Sequence, residues 1–124
     1  MRKLLCIASF VVLAGCAQVT TAYKLITDTT VTPAVLLTAA NSFDILEGTA
    51  TQYLVYCKTN LTTTACSASN RRTVIKYVRS GRAARNQAET YISSQTNAPS
   101  AIYNTLVAAI NNLNTSPAQK GAAQ

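Results

Sequence analysis

The sequence has 124 residues, enough for one small domain, and it carries eleven Lys and Arg against four Asp and Glu, a formal net charge of +7. It contains no histidine, so imidazole can serve neither as a catalytic base nor as a metal ligand. These numbers disfavour a multidomain enzyme and a zinc centre, and they favour a small basic protein that works through its surface.

The N-terminus has the pattern of a secretory signal. Arg2 and Lys3 precede an apolar run of eleven residues from Leu4 to Ala14. As a helix this run would span roughly 16 Å against about 30 Å of bilayer hydrocarbon, so it is too short to cross a membrane. We therefore predict that residues 1–15 are a signal peptide that is removed on export.

The end of this run, Leu13-Ala14-Gly15-Cys16, resembles the lipobox of bacterial lipoproteins. The resemblance implies cleavage before Cys16 and attachment of a diacylglyceryl group to its thiol. Two or three acyl chains would then hold the protein stably in a membrane. Ala17 stands where an aspartate would favour inner-membrane retention, so the resemblance implies the periplasmic face of the outer membrane. The alternative is an ordinary signal peptide beside an unrelated cysteine.

Removal of residues 1–15 leaves 109 residues with nine basic and four acidic side chains, a net charge of +5. Besides Cys16, this mature chain has two cysteines, Cys57 and Cys66, with eight residues between them. In an exported protein this pair predicts one disulfide, which contributes at most about 3 kcal/mol because the loop is small. Two cysteines without histidine are too few ligands for a structural metal, and we expect no cofactor.

The two ends of the mature chain lack a helical period. Residues 16–31 are rich in threonine, which predicts a flexible tether that reaches at most about 50 Å from the lipid. A short strand from Val19 to Ile26 is the alternative, although no later segment has the pattern of a partner strand. Residues 117–124 predict a disordered tail.

Thr32-Pro33 predicts the start of the first helix, with a hydroxyl cap followed by proline at the first helical position. Gly48 and a possible capping box after it leave a break at Glu47-Gly48 as an alternative. We favour one helix because an apolar stripe spaced by three and four residues continues in register through this point. Its members are Leu36, Ala39, Phe43, Leu46, Ala50, Tyr53 and Cys57.

Two further helices show the same period. The second is predicted from about Ser69 to Ile92, with a stripe of Val74, Tyr77, Gly81, Ala84, Ala88 and Tyr91. The third follows Asn97-Ala98-Pro99 and ends before Pro117, with a stripe of Ile102, Leu106, Ala109 and Leu113. The predicted fold class is all-α: an up-down-up three-helix bundle over residues 32–116, in which the disulfide closes the loop between the first two helices.

The second helix carries six cations and one acid. Four of these cations are predicted on one side of the helix, roughly opposite its apolar stripe, and we call them the basic face: Arg72, Lys76, Arg79 and Arg82. Neighbouring like charges cost a few tenths of a kcal/mol per pair, so we interpret this face as a docking site for anionic lipid, another envelope polyanion or an acidic protein. The alternative is a solvated face that keeps the protein soluble. Nucleic acid is not an expected partner, because no aromatic platform lies among the arginines.

No catalytic motif stands out, and we predict that the chain is not an enzyme. Asp44 and Glu47 could form an acid pair, but a solvated helix face is the favoured interpretation. Cys57 and Cys66 are too far apart for a CxxC redox motif. Tyr56 and Tyr103 lie off the apolar stripes and could contribute to a binding surface.

The segments Ser80–Asn86 and Asn97–Asn112 resemble parts of small uncharacterised lipoproteins of proteobacteria and their prophages. The function we expect is that of a membrane-anchored structural or interaction protein of the cell envelope, acting through the basic face. The alternative implied by the resemblance is a prophage accessory lipoprotein that assists host lysis or excludes a competing phage. A third possibility is a partner that binds the apolar edge of the bundle.

Overall fold

The computed structural model describes residues 23–121, so the predicted signal peptide, Cys16 and the end of the predicted tail lie outside it. This part of the chain is mostly helical, and the prediction of a bundle with three main helices is confirmed. The helices are α1 (Pro33–Thr59), α2 (Ala68–Ser94), α3 (Ser100–Asn114) and a short α4 (Pro117–Gly121). Two-residue strands, β1 (Thr30–Val31) and β2 (Ala98–Pro99), precede α1 and α3.

Helix α1 runs for 27 residues without a break at Gly48. Every member of its predicted apolar stripe is buried, and so is Ala40. Because this stripe stays on one side of the helix along its whole length, packing against the other helices outweighs the roughly 1 kcal/mol that glycine costs in a helix. The alternative break at Glu47-Gly48 is therefore wrong. Thr32 precedes α1 in an extended conformation, but its hydroxyl makes no capping hydrogen bond.

The pairing of the two short strands defines the relative directions of the three main helices. β1 pairs with β2 in antiparallel register, with Thr30 opposite Pro99 and Val31 opposite Ala98. Since these strands lead directly into α1 and α3, both helices start at the same end of the bundle and α2 runs antiparallel to them. This confirms the up-down-up order. The partner strand has only two residues and ends in proline, so it left no pattern in the sequence.

The prediction of a flexible tether is wrong for residues 23–31, which we call the N-terminal segment. Val31 is buried, and Tyr23 and Ile26 pack against the core. The Asn104 side chain on α3 accepts a hydrogen bond from the Ile26 N–H (2.9 Å) and donates one to its carbonyl oxygen (3.0 Å). The Tyr23 hydroxyl lies 2.5 Å from Ser42 Oγ on α1. Contacts to two helices therefore hold a segment whose own sequence has no regular period.

The prediction of a disordered tail is wrong for residues 117–121, which form α4. This short helix packs on α1 and α3, and Ala118 is only 1 % exposed. Just before it, the Ser116 hydroxyl is buried and donates a hydrogen bond to the Leu113 carbonyl oxygen (2.7 Å). A single small apolar side chain is enough to dock the turn, and such a signal is too weak to stand out in a polar sequence.

Helix α2 approaches α1 most closely at Gly81. The ring of Phe43 is fully buried against it, and a Cβ on Gly81 would lie 2.6 Å from Phe43 Cζ and 2.7 Å from Cδ2. Glycine is required at this position because the aromatic ring occupies the space of a side chain. Val78 is also buried on α2, whereas Tyr77 and Tyr91 of the predicted stripe are only partly buried.

The predicted disulfide is confirmed. Cys57 lies near the end of α1 and Cys66 in a single 3-10 turn (Thr64–Cys66) before α2; both are buried, with Cα atoms 5.2 Å apart. The Tyr53 hydroxyl donates a hydrogen bond to the carbonyl oxygen of Ala65 (2.5 Å) and so ties the same loop to α1. The connection between the first two helices is thus fixed by a covalent bond and a side-chain hydrogen bond.

Alanine at the two helical glycines should change stability in opposite directions. Gly48→Ala adds a methyl group where no atom lies within 4 Å, and it should raise the free energy of unfolding by about 0.5–1 kcal/mol. Gly81→Ala places the same group against Phe43 and should lower it by about 1–3 kcal/mol. Urea unfolding of dilute protein, followed by circular dichroism, measures both. Equal stability of the two variants would contradict the close approach of α2 to α1.

Opening the disulfide should lower stability while the helices persist. The double variant Cys57→Ala/Cys66→Ala frees a loop with a sequence separation of 9, which corresponds to about 2–3 kcal/mol of loop-closure entropy. The urea midpoint should fall, and the helical signal in native buffer should not. The bond itself is tested by alkylation and mass measurement of the wild-type chain: free thiols at both positions before reduction would disprove it.

Candidate functional site on helix α2

The four residues of the basic face are all exposed on α2, but only three of them lie close together around the helix. At about 100° per residue, Arg72, Lys76 and Arg79 fall within a sector of about 60°, with side chains one turn apart. Arg82 lies a further 60° round the helix, towards α1. We call the first three residues the basic cluster.

Arg82 belongs to an ion pair between α1 and α2. Its guanidinium binds Glu47 through Nη2, and its Nε donates a second hydrogen bond to the same oxygen, Oε1, at 2.7 Å. The Glu47 side chain is only 20 % exposed, against 58 % for Arg82. Arg82 therefore differs from the other three residues of the basic face, because its guanidinium is paired with a carboxylate of the neighbouring helix.

Arg85 forms a second link between the same helices. Its Nε lies 3.2 Å from Asp44 Oδ1 on α1, and its Nη1 lies 2.6 Å from Glu89 Oε2 one turn along α2. The hydrogen bond to Asp44 is the main reason that the pKa of Arg85 is raised above its ordinary value, so this side chain stays charged. The structure therefore places Arg85 in a three-residue ion network with Asp44 and Glu89.

These ion pairs also decide the role of the acids on α1. Asp44 and Glu47 are each held by a different arginine, so they do not face each other as an acid pair. The sequence contains a signal for this arrangement: the two acids and their two arginines are each spaced by three residues on antiparallel helices. The match does not show in the periodicity of either helix alone, because it depends on how the two helices are paired.

The basic cluster has no comparable partner. Of the four acids in the chain, Asp44, Glu47 and Glu89 are bound to Arg82 or Arg85, and among residues 23–121 no carboxylate lies within 4.0 Å of the basic cluster. Arg71 lies next to the cluster and donates from Nε to the Cys66 carbonyl oxygen (3.1 Å), so it is directed towards the disulfide loop. Three exposed positive charges therefore stand together without counter-charge from the described part of the chain.

A groove of about 440 Å³ between α2 and α3 begins beside the basic cluster. A second depression of about 250 Å³ continues along the same two helices, and Ser80 and Thr105 line both. The larger groove includes residues from both helices and from the N-terminal segment: Leu25, Lys76, Tyr77, Asn104 and Asn112. Lys76 belongs to both the cluster and the groove, so an anion bound at the cluster would lie beside neutral hydrogen-bonding side chains.

The two tyrosines predicted to assist binding have different environments. Tyr56 is 51 % exposed on α1, on a different helix from the cluster. Tyr103 is buried between helices, and burial, with a further contribution from Tyr23, raises the pKa of its phenol. Burial also raises the pKa of Tyr53, against the opposing charge of Arg71. Tyr103 is therefore a core residue, and the prediction of a surface role for it is wrong.

The basic cluster offers charge and hydrogen-bond donors. No three Cys, Asp or Glu side chains of this range come together in a group that could hold a metal ion. None of the helices in the described range is both long and apolar enough to span a bilayer. The three exposed cations of the basic cluster can attract and bind an anionic surface or group.

The chain matches no family model, no curated protein and no solved structure among those compared. Its function must therefore be inferred from its own residues and their geometry.

Proposed function

We propose that this chain is an exported lipoprotein, anchored through Cys16, whose domain docks the basic cluster onto the anionic head groups of the membrane that holds its anchor. The role is non-catalytic: the protein binds a surface and positions its helical bundle there. The location follows from the lipobox resemblance of residues 13–16, with the periplasmic face of the outer membrane as the expected site. The docking role follows from the charges of the folded domain.

The observation that carries the docking role is the separation of paired from unpaired cations on one helix. Arg82 and Arg85 use the acids of α1 and α2, while Arg72, Lys76 and Arg79 remain exposed together. Like charges at these spacings destabilise a helix by a few tenths of a kcal/mol per pair. A surface with only a structural role would place acids among them, so the uncompensated cluster favours an external anion.

The N-terminal segment supports a membrane as that anion. Because residues 23–31 are docked on the helices, only residues 16–22 can act as the link to the lipid. Seven residues reach about 25 Å at most, half of what the undocked segment would allow. Tyr23, the first described residue, contacts Ser42 on α1, and Leu25 lines the same groove as Lys76. The N-terminal segment therefore passes beside the cluster, and a short link keeps the cations within reach of the head groups.

The energy available is moderate. Each Lys or Arg close to an anionic membrane surface contributes about 1 kcal/mol, and the attraction falls off within about 8–10 Å at physiological salt. Three cations would therefore orient a domain that the lipid already holds at the surface, without being able to anchor it alone.

Replacement of the predicted lipidation site should release the protein from membranes. Cys16→Ser removes the thiol that would carry the lipid, and the three cations are too few to replace two or three acyl chains. Incorporation of labelled palmitate and the fraction that sediments with membranes should both fall to background. Unchanged labelling of Cys16→Ser would disprove the lipoprotein assignment.

Neutralising the basic cluster should weaken binding to anionic membranes without unfolding the domain. The triple variant Arg72→Gln/Lys76→Gln/Arg79→Gln should bind vesicles of mixed phosphatidylglycerol and phosphatidylcholine roughly 100-fold more weakly, because three cations at about 1 kcal/mol each contribute about 3 kcal/mol. The assay uses the chain from residue 17 onward, so that the lipid does not mask the effect. Wild-type binding should also weaken as salt is raised.

The matched control is Arg82→Gln, which removes a positive charge that is already paired with Glu47. It should leave vesicle binding within a few-fold of wild type and lower the free energy of unfolding by up to about 1 kcal/mol. If the triple variant binds vesicles as well as wild type does, the membrane proposal is wrong. In that case the cluster is a solvated surface, unless the triple variant also loses capture of an acidic envelope protein that wild type captures, which would identify that protein as the partner.

A further inference from the structure

Helix α1 exposes most of the large apolar side chains found on the surface of the described residues. Of seven such side chains, five lie on α1: Val35, Leu37, Ile45, Val55 and Tyr56. The most exposed of these are Ile45 at 58 % and Val55 at 57 %, and both lie on a continuous helix whose opposite side is buried. A helix that is apolar on two sides is unusual on a free surface.

The outer side of α1 carries a second regular seam, which we call the outer seam. Its members are spaced alternately by four and three residues, the period of helices that pack side by side, and all are exposed. None is charged, and the seam lies roughly opposite the buried stripe. The residues are Ala34, Thr38, Asn41, Ile45, Gly48, Gln52, Val55 and Thr59.

The outer seam is complementary to itself when read in the opposite direction. A two-fold axis between Leu46 and Glu47 would place Ile45 opposite Gly48 of a second copy, where an added Cβ meets no atom within 4 Å. The same axis brings Asn41 opposite Gln52, two amides that can exchange hydrogen bonds. Further out it brings together the pairs Thr38 with Val55 and Ala34 with Thr59.

From this pattern we propose that α1 is the interface of a symmetric, antiparallel dimer, in which the outer seams of two copies pack against each other. In such an interface each residue pair occurs twice, so a seam that matches itself is what the symmetry requires. The knob of Ile45 fills the space left by Gly48, and the amides satisfy each other near the centre. The inference holds with or without the lipid anchor and does not depend on the proposed function.

The absence of charged residues from the outer seam is compatible with a second copy as the occupant. The mature chain has a net charge of +5, so two copies repel each other through most approaches. The outer seam has no charged member, and it lies on a different helix from the basic cluster on α2. Pairing through α1 therefore brings two copies together with the cations of α2 left out of the contact.

The size of the seam predicts a reversible dimer. A helix of 27 residues is about 40 Å long, and the strip shared by two helices is about 10 Å wide. This is at the small end of specific interfaces, where complexes are weak and transient. We therefore expect exchange between monomer and dimer at micromolar concentration in solution, and a larger dimer fraction where copies are concentrated on one surface.

The register is tested by cross-linking in cells that co-express two tagged copies of the full chain. One copy carries Asn41→Cys and the other Gln52→Cys, and a bismaleimide with a spacer of about 8 Å is added. The proposed register places these two positions opposite each other, whereas position 41 of one copy lies roughly 16 Å along the axis from position 41 of the other. Cross-links are expected in the mixed pair and not in either single-variant pair. The wild-type chain gives the background from its own cysteines.

A charge at the centre of the seam provides the second arm. Ile45→Glu in both copies should reduce the mixed cross-link at least ten-fold, since each carboxylate would be buried against Gly48 of the other copy and the two would lie only about 4.5 Å apart along the helix axis. Ile45 is exposed, so the substitution leaves the core unchanged. Asn111→Glu, an exposed site on α3, is the matched control and should leave it unchanged. The proposal is overturned if no mixed cross-link forms, if the single-variant pairs cross-link equally well, if the product contains another protein, or if Ile45→Glu has no effect.

Discussion

The contact between Phe43 and Gly81 sets the distance between α1 and α2, and much of the remaining structure depends on it. The ring lies where a side chain on α2 would otherwise stand, so the two helices approach closely at their centres. Close approach brings Arg82 and Arg85, which follow Gly81 on α2, within reach of the acids on α1. The lack of a side chain at Gly81 thus permits the helix spacing at which Arg82 and Arg85 pair with the acids of α1.

That pairing explains why a protein with few acids has a localised surface charge. The carboxylates of α1 are placed so that they neutralise the C-terminal half of α2, and its N-terminal half receives none. The result is a domain in which the basic cluster is separated from the ion pairs by about one helical turn. Surface attraction depends on such local concentrations of charge more than on net charge alone.

The described part of the chain also shows three sides of the bundle with different properties. The cluster on α2 is cationic, the outer seam of α1 is uncharged with exposed apolar side chains, and the outer side of α3 is crossed by the N-terminal segment. Because these sides belong to different helices, membrane docking and pairing of two copies would not compete for the same residues. The docked segment further shortens the chain that could separate the domain from the proposed anchor at Cys16.

The sequence by itself determined the helices, their order and the disulfide. These features depend on local periodicity and on the spacing of two cysteines, and the first stripe from Leu36 to Cys57 is buried as predicted. Periodicity does not predict the position of a segment that is held only by a few residues distant in the sequence. Asn104 fixes the backbone of Ile26 across 78 residues, and Ala118 docks a turn that is otherwise polar.

Only part of the candidate site could be predicted, because periodicity describes one helix at a time. Helical spacing was enough to group Arg72, Lys76 and Arg79, because residues three and four apart always share a side of a helix. Whether a cation is free or paired depends on the residues that another helix brings to it, as the pairing of Arg82 with Glu47 illustrates. The burial of Tyr103 likewise results from the packing of α3 against its neighbours. The sequence therefore determined where charge and apolar surface lie on each helix, and only the tertiary structure decided which of them remain exposed, because exposure is a property of how helices pack against one another.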